Sequence, residues 1–203
     1  MEIKDKNELK FVILADMIMN GRGRGFFNKI KNFFSKDYIM DFLIEMRKCS
    51  YYKHQKGVLS KCIYAYHKRK YKHLGLKLGF SIGFDSLGYG VVIPHYGTIV
   101  VGGSNRIGNY AVLHTSTCIS DNGKIIGDGL YLSTGAKITS KIKLGNNISI
   151  GANSLVNKDC EQDNVLLAGM PAKVIKQEET WYVRDSYEER IKRVEDLRKQ
   201  YEY

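Results

Sequence analysis

The residue in this sequence with the clearest chemical potential is His95, which lies in the segment GVVIPHYGTIVVGG at positions 90 to 103. Its neighbours are mostly valine, isoleucine and glycine, the residue types of buried strands and tight turns. An imidazole has an unperturbed pKa of about 6.5, so near pH 7 it is largely neutral and can accept a proton from an attacking hydroxyl group. His95 is therefore a candidate general base. The alternative is a core histidine whose ring nitrogens bind backbone groups.

A six-residue repeat predicts the structure that positions this histidine. From residue 107 onwards an aliphatic side chain recurs every six residues, with one extra residue before position 126: Ile107, Leu113, Ile119, Ile126, Leu132, Ile138, Leu144, Ile150 and Val156. The residue after each of these is usually small or polar, and the pattern continues more weakly upstream at Leu87, Ile93 and Ile99. Each hexad predicts one short strand and a corner, so three hexads, about 18 residues, close one coil of a three-sided β-helix.

The repeat also predicts the direction of each side chain. The aliphatic residues face the axis, and successive coils stack as parallel strands about 4.8 Å apart. His95 follows the inward Ile93 by two positions and is therefore predicted to face out of the coil. Because insertions lengthen the upper coils to about 20 and 19 residues, positions 95, 115, 134 and 152 are predicted to be equivalent. This register aligns His95 with Thr115, Thr134 and Ala152.

This hexad pattern resembles the left-handed parallel β-helix of the hexapeptide-repeat acyltransferases. The segments IPHYGTIVVGG, IGDGLYLSTGAKI, LGNNISIGANSLV and LLAGMPAKVIK follow one another as in the serine acetyltransferase-like branch, which includes serine O-acetyltransferases and O-acetyltransferases of bacterial surface polysaccharides. The predicted fold class is therefore mainly β. We expect a basic α-helical module at 1–78, a left-handed parallel β-helix domain at 79–176 and a C-terminal helical tail at 177–203.

The resemblance implies an activity and a set of partners. Members of this branch transfer an acetyl group from acetyl-CoA to a hydroxyl group, without a covalent acyl-enzyme and without a metal. The histidine of their H-x-G-x-I-V-V segment, here His95, is the general base. The enzymes are homotrimers that hold acetyl-CoA in a groove between subunits. The residues that match the groove lining are Ser133, Thr134 and Ala152, and Lys173 is the candidate for the CoA phosphates, with plain surface charge as the alternative.

Two further positions need separate interpretation. His114 follows Leu113 at a corner, one coil from His95, and is either a packing residue or a contributor to the site across a subunit boundary. Gly169 and Pro171 are typical of the turn that ends the coil. The zinc enzymes that share this fold draw three histidines from the coils, whereas this module offers only His95 and His114, so no metal site is predicted.

Residues 1–78 carry all of the excess charge. They contain 18 Lys/Arg and 7 Asp/Glu, a net of +11, whereas residues 79–203 contain 14 of each. Apolar and aromatic spacings of three and four predict helices on both sides of a break at 21–25, with Ser35 as a candidate N-cap, and a further basic helix over 57–73. Such a surface suits an anionic membrane or an acidic substrate, with a solvated face as the structural alternative. No nucleic-acid-binding signature is present, so nucleic acid is not a predicted partner.

Cysteine usage and hydropathy predict a cytoplasmic protein. The four cysteines have no CxxC and no framework spacing, which favours free thiols in a reducing compartment. The apolar run at 11–19 is short and contains Asp16, so it predicts neither a signal peptide nor a spanning helix. Contact with the inner face of the membrane through residues 1–78 is the additional expectation.

The acceptor is predicted from departures from the serine enzymes. Those enzymes have an Asp directly before the catalytic histidine, where this chain has Pro94, and an orienting Asp about 15 residues upstream, where it has Ser81, with Asp85 the nearest acid. Their glycine-rich loop with an Arg-His pair corresponds here to the short connection at 120–125. Because a free zwitterion needs paired charges, these departures favour an uncharged sugar hydroxyl of a surface polysaccharide or its precursor. What orients the imidazole of His95 stays open, and a backbone carbonyl is one candidate.

Two alternatives stay open. The first is serine O-acetyltransferase, the activity of the better-known members of the branch. The second is a non-catalytic trimeric scaffold whose basic arm binds a membrane or a polymer.

Overall fold

The computed structural model describes residues 1–22 and 36–201. Three helices come first in the chain: α1 at Lys6–Met19, α2 at Tyr38–His54 and α3 at Val58–Leu78. The Asp5 carboxylate caps α1, because it accepts hydrogen bonds from the backbone N–H groups of Asn7 and Glu8.

The second helix begins later than Ser35 would place it. Its N-cap is Asp37, whose carboxylate accepts a hydrogen bond from the backbone N–H of Met40. Ser35 itself, the glycine-rich break beyond Arg22 and the aromatic residues at 26–34 lie outside the described residues. The third helix runs past the predicted residue 73 and ends where Gly79 takes a left-handed conformation, with φ of 80°.

Thirteen short strands and two helices follow in the described part of the chain. The strands are β1 Phe80–Ile82, β2 Ile99–Val101, β3 Arg106–Ile107, β4 Val112–Leu113, β5 Thr117–Ile119, β6 Ile125–Ile126, β7 Tyr131–Leu132, β8 Lys137–Ile138, β9 Lys143–Leu144, β10 Ser149–Ile150, β11 Leu155–Val156, β12 Val165–Gly169 and β13 Ala172–Gln177. The helices are α4 at Trp181–Arg184 and α5 at Glu188–Gln200.

The strands form three sheets, one on each side of a coil. Their orders are β1-β2-β5-β8-β11, β13-β12-β10-β7-β4 and β3-β6-β9. Every neighbouring pair is parallel except β12 and β13, which form an antiparallel hairpin. The chain therefore winds as a three-sided parallel β-helix, as the hexads predict.

The core of the β-helix consists of the hexad residues. All nine aliphatic positions from Ile107 to Val156 are 5% exposed or less, and the upstream Leu87, Ile93 and Ile99 are buried with them. The buried side chains of successive coils stack on one another, so no coil encloses its apolar face alone. The inward direction predicted for the hexad residues is confirmed.

A buried ion pair attaches the helices to the first coil. Arg47 of α2 and Asp16 of α1 are fully buried, and the Arg47 Nε lies 2.8 Å from the Asp16 Oδ2. The guanidinium also donates to the carbonyl oxygens of Leu87 and Gly88, and the Asp16 carboxylate accepts from the backbone N–H of Val91 at 3.0 Å. Each charge is therefore satisfied by both its partner and the main chain of the coil.

The C-terminal helices pack against the same coil from another side. Trp181 is 2% exposed, and its indole N–H donates to the carbonyl oxygen of Tyr110 at 3.0 Å. The hydroxyl groups of Tyr89 and Tyr110 both donate to the Glu195 carboxylate of α5. These contacts join α5, α1 and the first coils in one apolar cluster.

None of the described helices is long and apolar enough to cross a bilayer. Helix α3 carries six Lys/Arg and no Asp/Glu, and it exposes Val58, Leu59, Tyr66 and Leu76. The contact with a membrane surface expected from the sequence stays a prediction.

We expect the substitution Arg47→Met to lower the free energy of unfolding by about 3 to 5 kcal/mol, because it leaves the Asp16 carboxylate buried without its cation. Chemical denaturation followed by far-UV circular dichroism measures this change. The matched control is Arg69→Met on the exposed side of α3, which should change the free energy by about 0.5 kcal/mol or less. A loss below about 1 kcal/mol for Arg47→Met would contradict the role given to the ion pair.

Candidate active site

His95 lies on the outer surface of the first coil. Its side chain is exposed, in a turn between the buried Ile93 and Ile99. The outward direction predicted from the hexads is therefore correct, and His95 is not a core histidine.

The turn that carries His95 is longer than the predicted register allows. Before the turn Val92 pairs with Val112, and after it Ile99 pairs with Thr117. The segment 92–99 contains eight residues and the segment 112–117 contains six, so two extra residues project from the corner. The predicted equivalence of positions 95 and 115 therefore does not hold across the turn.

Gly97 takes the place over Thr115 that the register gave to His95. A Cβ atom on Gly97 would lie 3.2 Å from the Thr115 Cγ2, and the Gly97 φ of 141° is in the region that favours glycine. The predicted equivalence of positions 115, 134 and 152 does hold on the following coils. There the backbone N–H of Gly135 donates to the carbonyl oxygen of Thr115, and that of Asn153 donates to the carbonyl oxygen of Thr134. His95 is thus next to the column of small residues but bulges outwards from it.

Both sides of the turn are held by the ends of helices. The Asn20 side chain, just after α1, donates to the Val91 carbonyl oxygen at 2.7 Å and accepts from the Ile93 N–H at 3.4 Å. On the other side the Gly97 N–H donates to the Leu78 carbonyl oxygen at 2.9 Å. Asn20 was not anticipated from the sequence, because nothing in a helical pattern shows which polar residue will reach a distant strand.

A small cavity lies beside the turn. Its volume is about 130 Å³, and its lining includes Pro94 together with Arg22 and Asp37. Arg22 and Asp37 form an ion pair with each other in this lining. A positive and a negative side chain therefore line the same cavity as Pro94, the residue before His95.

His114 lies at the next corner down, in contact with Tyr131. Its Nε2 is 2.9 Å from the Tyr131 hydroxyl oxygen, and the two rings are 5.1 Å apart. Burial lowers the pKa of His114, and the neighbouring charge of His95 lowers it further. His114 is therefore neutral near pH 7. The charge effect of His95 shows that His114 lies near the site, and its two interpretations, packing or contribution across a subunit boundary, stay predictions.

Helix α4 fixes the Tyr131 side chain from outside. The Arg184 guanidinium lies 4.5 Å from the Tyr131 ring centroid, and it also lies 3.4 Å from the Ser149 hydroxyl. Burial raises the pKa of Tyr131, and the Asp185 carboxylate adds to this effect, so the phenol stays protonated. The only signal of this residue in the sequence is a large aromatic side chain directly before the inward Leu132.

Asp85, the acid nearest to the position of the family's orienting Asp, does not face His95. Its carboxylate accepts from the Ser50 hydroxyl at 2.6 Å and the Lys53 ammonium at 3.1 Å. Burial alone would raise the pKa of Asp85, but these hydrogen bonds and that of His54 outweigh it and hold the pKa below its usual value. Asp85 therefore serves the junction with α2.

The His95 imidazole has no hydrogen-bond partner among residues 1–22 and 36–201. The candidate backbone carbonyl is thus not seen there, and the main chain of the turn sets only the point at which the side chain leaves the coil.

The residues predicted to line a cofactor groove form one strip along this corner. Thr134, Ala152 and Lys173 are exposed and Ser133 is half-buried. The strip is continuous. The Ser133 N–H donates to the carbonyl oxygen of Ile150, and the Gly151 N–H donates to that of Leu167 on the next coil. Ala168, directly after Leu167, pairs with Lys173 in the β12–β13 hairpin. From the His95 turn to β13 there are five strand spacings, roughly 24 Å.

The hairpin that carries Lys173 turns at the predicted place. Gly169, with φ of 105°, ends β12, and the cis peptide before Pro171 leads into β13. No group of three histidine, cysteine or acidic side chains within the described ranges is arranged to hold a metal ion.

No protein-family model matches the chain. Among curated proteins it is similar to serine acetyltransferases from three bacteria. It is 30% identical over 96 residues to that of Synechococcus elongatus, covering 44% of this chain and 39% of the relative. It is 31% identical over 124 residues to that of Haemophilus influenzae, covering 54% of this chain and 46% of the relative. It is 30% identical over 113 residues to that of Staphylococcus aureus strain Mu50, covering 52% of this chain and 48% of the relative. The chain thus spans less than half the length of these relatives.

The similarity extends to solved structures. A serine acetyltransferase from Brucella abortus superposes with a TM-score of 0.66 at 19% identity, covering 85% of this chain and 71% of that one. The β-helix is serine acetyltransferase-like. A serine acetyltransferase complex with CoA superposes at 0.60 and 18% identity, and a soybean serine acetyltransferase with serine at 0.62 and 20%; each match covers 82% of this chain and 69% of the other. The predicted left-handed hexapeptide-repeat fold with helices at both ends is confirmed.

The coupling of the two histidines can be measured directly. We expect a pKa for His114 below the usual histidine value, because burial disfavours its charged form. A titration of ¹³C-labelled imidazole signals by NMR measures it, with Tyr131→Phe to assign the signal. The substitution His95→Gln should raise the pKa of His114, because it removes the electrostatic interaction with His95 that lowers this pKa. A pKa of His114 at or above its usual value would contradict the described packing.

Proposed function

We propose that this chain is an acetyl-CoA-dependent O-acetyltransferase in which His95 is the general base. The observation that carries the proposal is the exposed imidazole at one end of an outer strip of small residues that ends at Lys173. The proposal is also supported by the names of the similar proteins, which are serine acetyltransferases.

The reaction requires one proton acceptor and a positioned thioester. The acceptor hydroxyl oxygen attacks the carbonyl carbon of acetyl-CoA while the neutral His95 removes the hydroxyl proton. The tetrahedral intermediate collapses, the C–S bond breaks, and the CoA thiolate takes a proton from the imidazolium. His95 is thereby returned to its neutral form, and no enzyme nucleophile is required.

The strip fits an extended pantetheine arm. Ser133, Thr134 and Ala152 carry small side chains, so a chain lying on them can approach the backbone amides and carbonyls of successive coils. Lys173 at the far end supplies a positive charge for the CoA phosphates. A similar solved structure is a complex with CoA, which supports this placement.

We propose a homotrimer as the assembled form. The exposed residues Thr134 and Ala152 make only one wall of a groove, and a second copy of the chain packed against this corner would supply the other wall.

For the acceptor, the comparisons favour serine over the sugar hydroxyl that the sequence analysis preferred. The similar curated proteins are named serine acetyltransferases, and one solved neighbour is complexed with serine. Serine is accordingly the first acceptor that we propose.

A sugar hydroxyl is the second candidate, because one observation favours it. The connection at 120–125 folds back on its own coil: Lys124 is buried, and its ammonium donates to the Ser120 carbonyl oxygen at 2.6 Å and to the Ser120 hydroxyl at 2.9 Å. This loop therefore presents no Arg-His pair to a zwitterion, and Asp85 is committed elsewhere.

We expect His95→Gln to lower kcat by about 100-fold or more, because the hydroxyl loses its proton acceptor. Thiol release from acetyl-CoA measures kcat, first with L-serine and then with a panel of neutral and acidic glycans, and mass spectrometry identifies the acetylated product. The control is His73→Gln, an exposed histidine on α3, which should keep full activity. Unchanged transfer by His95→Gln on a confirmed acceptor would reject the base role, and no transfer by the unmodified protein to any acceptor would favour a scaffold.

We expect Lys173→Gln to raise the KM for acetyl-CoA about tenfold with little change in kcat, since a charge-assisted bond to phosphate contributes about 1.5 to 3 kcal/mol. Steady-state kinetics with saturating acceptor measures both constants. The control Lys141→Gln removes an exposed lysine on the β-helix away from the strip. Equal KM values for the two variants would place the phosphates elsewhere.

A further inference from the structure

A second and larger cavity lies between helix α3 and the first two strands. Its volume is about 610 Å³, which is within the 300 to 1,000 Å³ range usual for ligand pockets. One wall is the C-terminal half of α3, the floor is the outer face of β1 and β2, and the far wall is the corner that follows β2. We call this cavity the α3 groove.

The α3 groove is separate from the strip that begins at His95. His95 precedes β2, whereas the groove opens over β2 itself and over Gly102 and Gly103 beyond it. The strip runs from His95 down the coils towards β13. The proposed acetyl transfer therefore assigns no task to this cavity.

The floor and inner wall of the groove are apolar and aromatic. Tyr71 of α3 and Phe84 pack edge to face, with centroids 6.1 Å apart and an interplanar angle of 86°. Val100 presents its half-buried side chain beside them, and Leu76 is 86% exposed at the rim. Phe42 stacks on one face of Tyr71 with centroids 5.0 Å apart, and the Lys53 ammonium lies 5.0 Å from the Phe84 centroid, so a pyranose ring would meet the remaining faces and edges of these two rings.

The outer wall of the groove is positively charged. Lys68 is half-buried and Lys72 is exposed, one turn apart on the same side of α3. Neither ammonium belongs to an ion pair within the described ranges, although Lys68 lies 5.2 Å from the Tyr64 ring centroid. Two unpaired cations one turn apart can hold a carboxylate or a phosphate group.

The far wall carries a carboxylate and a hydroxyl group. The Asp121 Oδ1 accepts hydrogen bonds from the backbone N–H and the hydroxyl of Ser104, and these bonds lower the pKa of Asp121. The backbone N–H of Gly103 contributes a further hydrogen bond to this carboxylate, and the Asp121 side chain is exposed to solvent. Ser81 projects its exposed hydroxyl from the centre of β1. An ionised carboxylate and a hydroxyl are suited to bind sugar hydroxyl groups.

We propose that the α3 groove binds an anionic sugar unit, with its ring on Tyr71 and Phe84, its acidic group on Lys68 and Lys72, and its hydroxyls at Asp121 and Ser81. The charged walls favour this ligand over a purely hydrophobic one. The acidic group of one sugar fits the lysine wall, while its hydroxyl groups fit the wall that carries Asp121. The same chemistry occurs in a uronic-acid polymer and in a free sugar phosphate. The proposal concerns binding only and does not depend on the acetyl-transfer chemistry of His95.

Isothermal titration calorimetry of the full chain tests the site with three probes: tri-galacturonate, the neutral galactotriose and galactose 1-phosphate. We expect saturable binding of tri-galacturonate, and binding of galactotriose at least about tenfold weaker, because the neutral sugar forms no charge-assisted bonds. The affinity for tri-galacturonate should fall as salt is raised. Equal binding of galactose 1-phosphate would identify a site for one sugar unit. Binding of tri-galacturonate but not of galactose 1-phosphate would identify a site for a polymer.

Two variants and one control locate the binding. The double substitution Lys68→Gln, Lys72→Gln should weaken tri-galacturonate binding at least about tenfold. Ser81→Trp should weaken it as much by filling the floor of the groove. The control Lys141→Gln, Lys158→Gln removes two exposed lysines from other coils and should change the affinity less than about twofold.

The proposal would be overturned if neither tri-galacturonate nor galactose 1-phosphate showed saturable binding. So would equal affinity for galactotriose, or an equal loss in the control variant. Because no acetyl-CoA is present in these titrations, their failure would leave the proposed transferase activity to be judged on His95 alone.

Discussion

Arg47 and Asp16 form an ion pair with no solvent exposure, at the point where two helices and the first coil meet. Removing two charges from water is unfavourable by several kcal/mol for each ion, so the pair is tolerated only with good geometry and further hydrogen bonds. Here those bonds come from the carbonyl oxygens of Leu87 and Gly88 and the N–H of Val91, all on the coil. Moving the helices from the coil would therefore break the hydrogen bonds of this ion pair to Leu87, Gly88 and Val91.

The position of His95 depends on this junction. Asn20 follows α1 and hydrogen-bonds to both Val91 and Ile93, the residues that lead into the turn. The other side of the turn is bound to Leu78 at the end of α3. These main-chain bonds fix the point at which the His95 side chain leaves the coil. The helical module is thus part of the site's framework, and the His95 turn would be held only by the coil if the module were displaced.

The repeat made much of the β-helix predictable. Residues such as Leu132 and Ile150 recur at a spacing that only a three-sided coil can bury, and the same spacing placed His95 on the outside. The two-residue lengthening of its turn escaped prediction because it lies upstream of residue 107, where the pattern is weak. The register over Thr115 was therefore assigned to His95, whereas Gly97 occupies it.

Pairings between distant polar residues were beyond the reach of sequence patterns. A helical period shows that Asp16 and Arg47 lie on helices, but their mutual contact depends on how the two helices dock. The partners of Asp85 depend on docking in the same way: Ser50 and Lys53 come from α2, more than 30 residues earlier in the chain. Charge composition located the basic surface on residues 1–78, but only the packed structure placed Lys68 and Lys72 beside a groove.

The central claim is that His95 and a CoA-binding strip share one corner of the β-helix. An experimental structure of the protein with CoA tests it most directly. The account predicts that CoA lies along Ser133, Thr134 and Ala152, with its phosphates towards Lys173. Its sulfur atom should be close enough to His95 for an acetyl group on that sulfur to lie next to the imidazole ring. CoA bound on another face, or a sulfur far from His95, would contradict it.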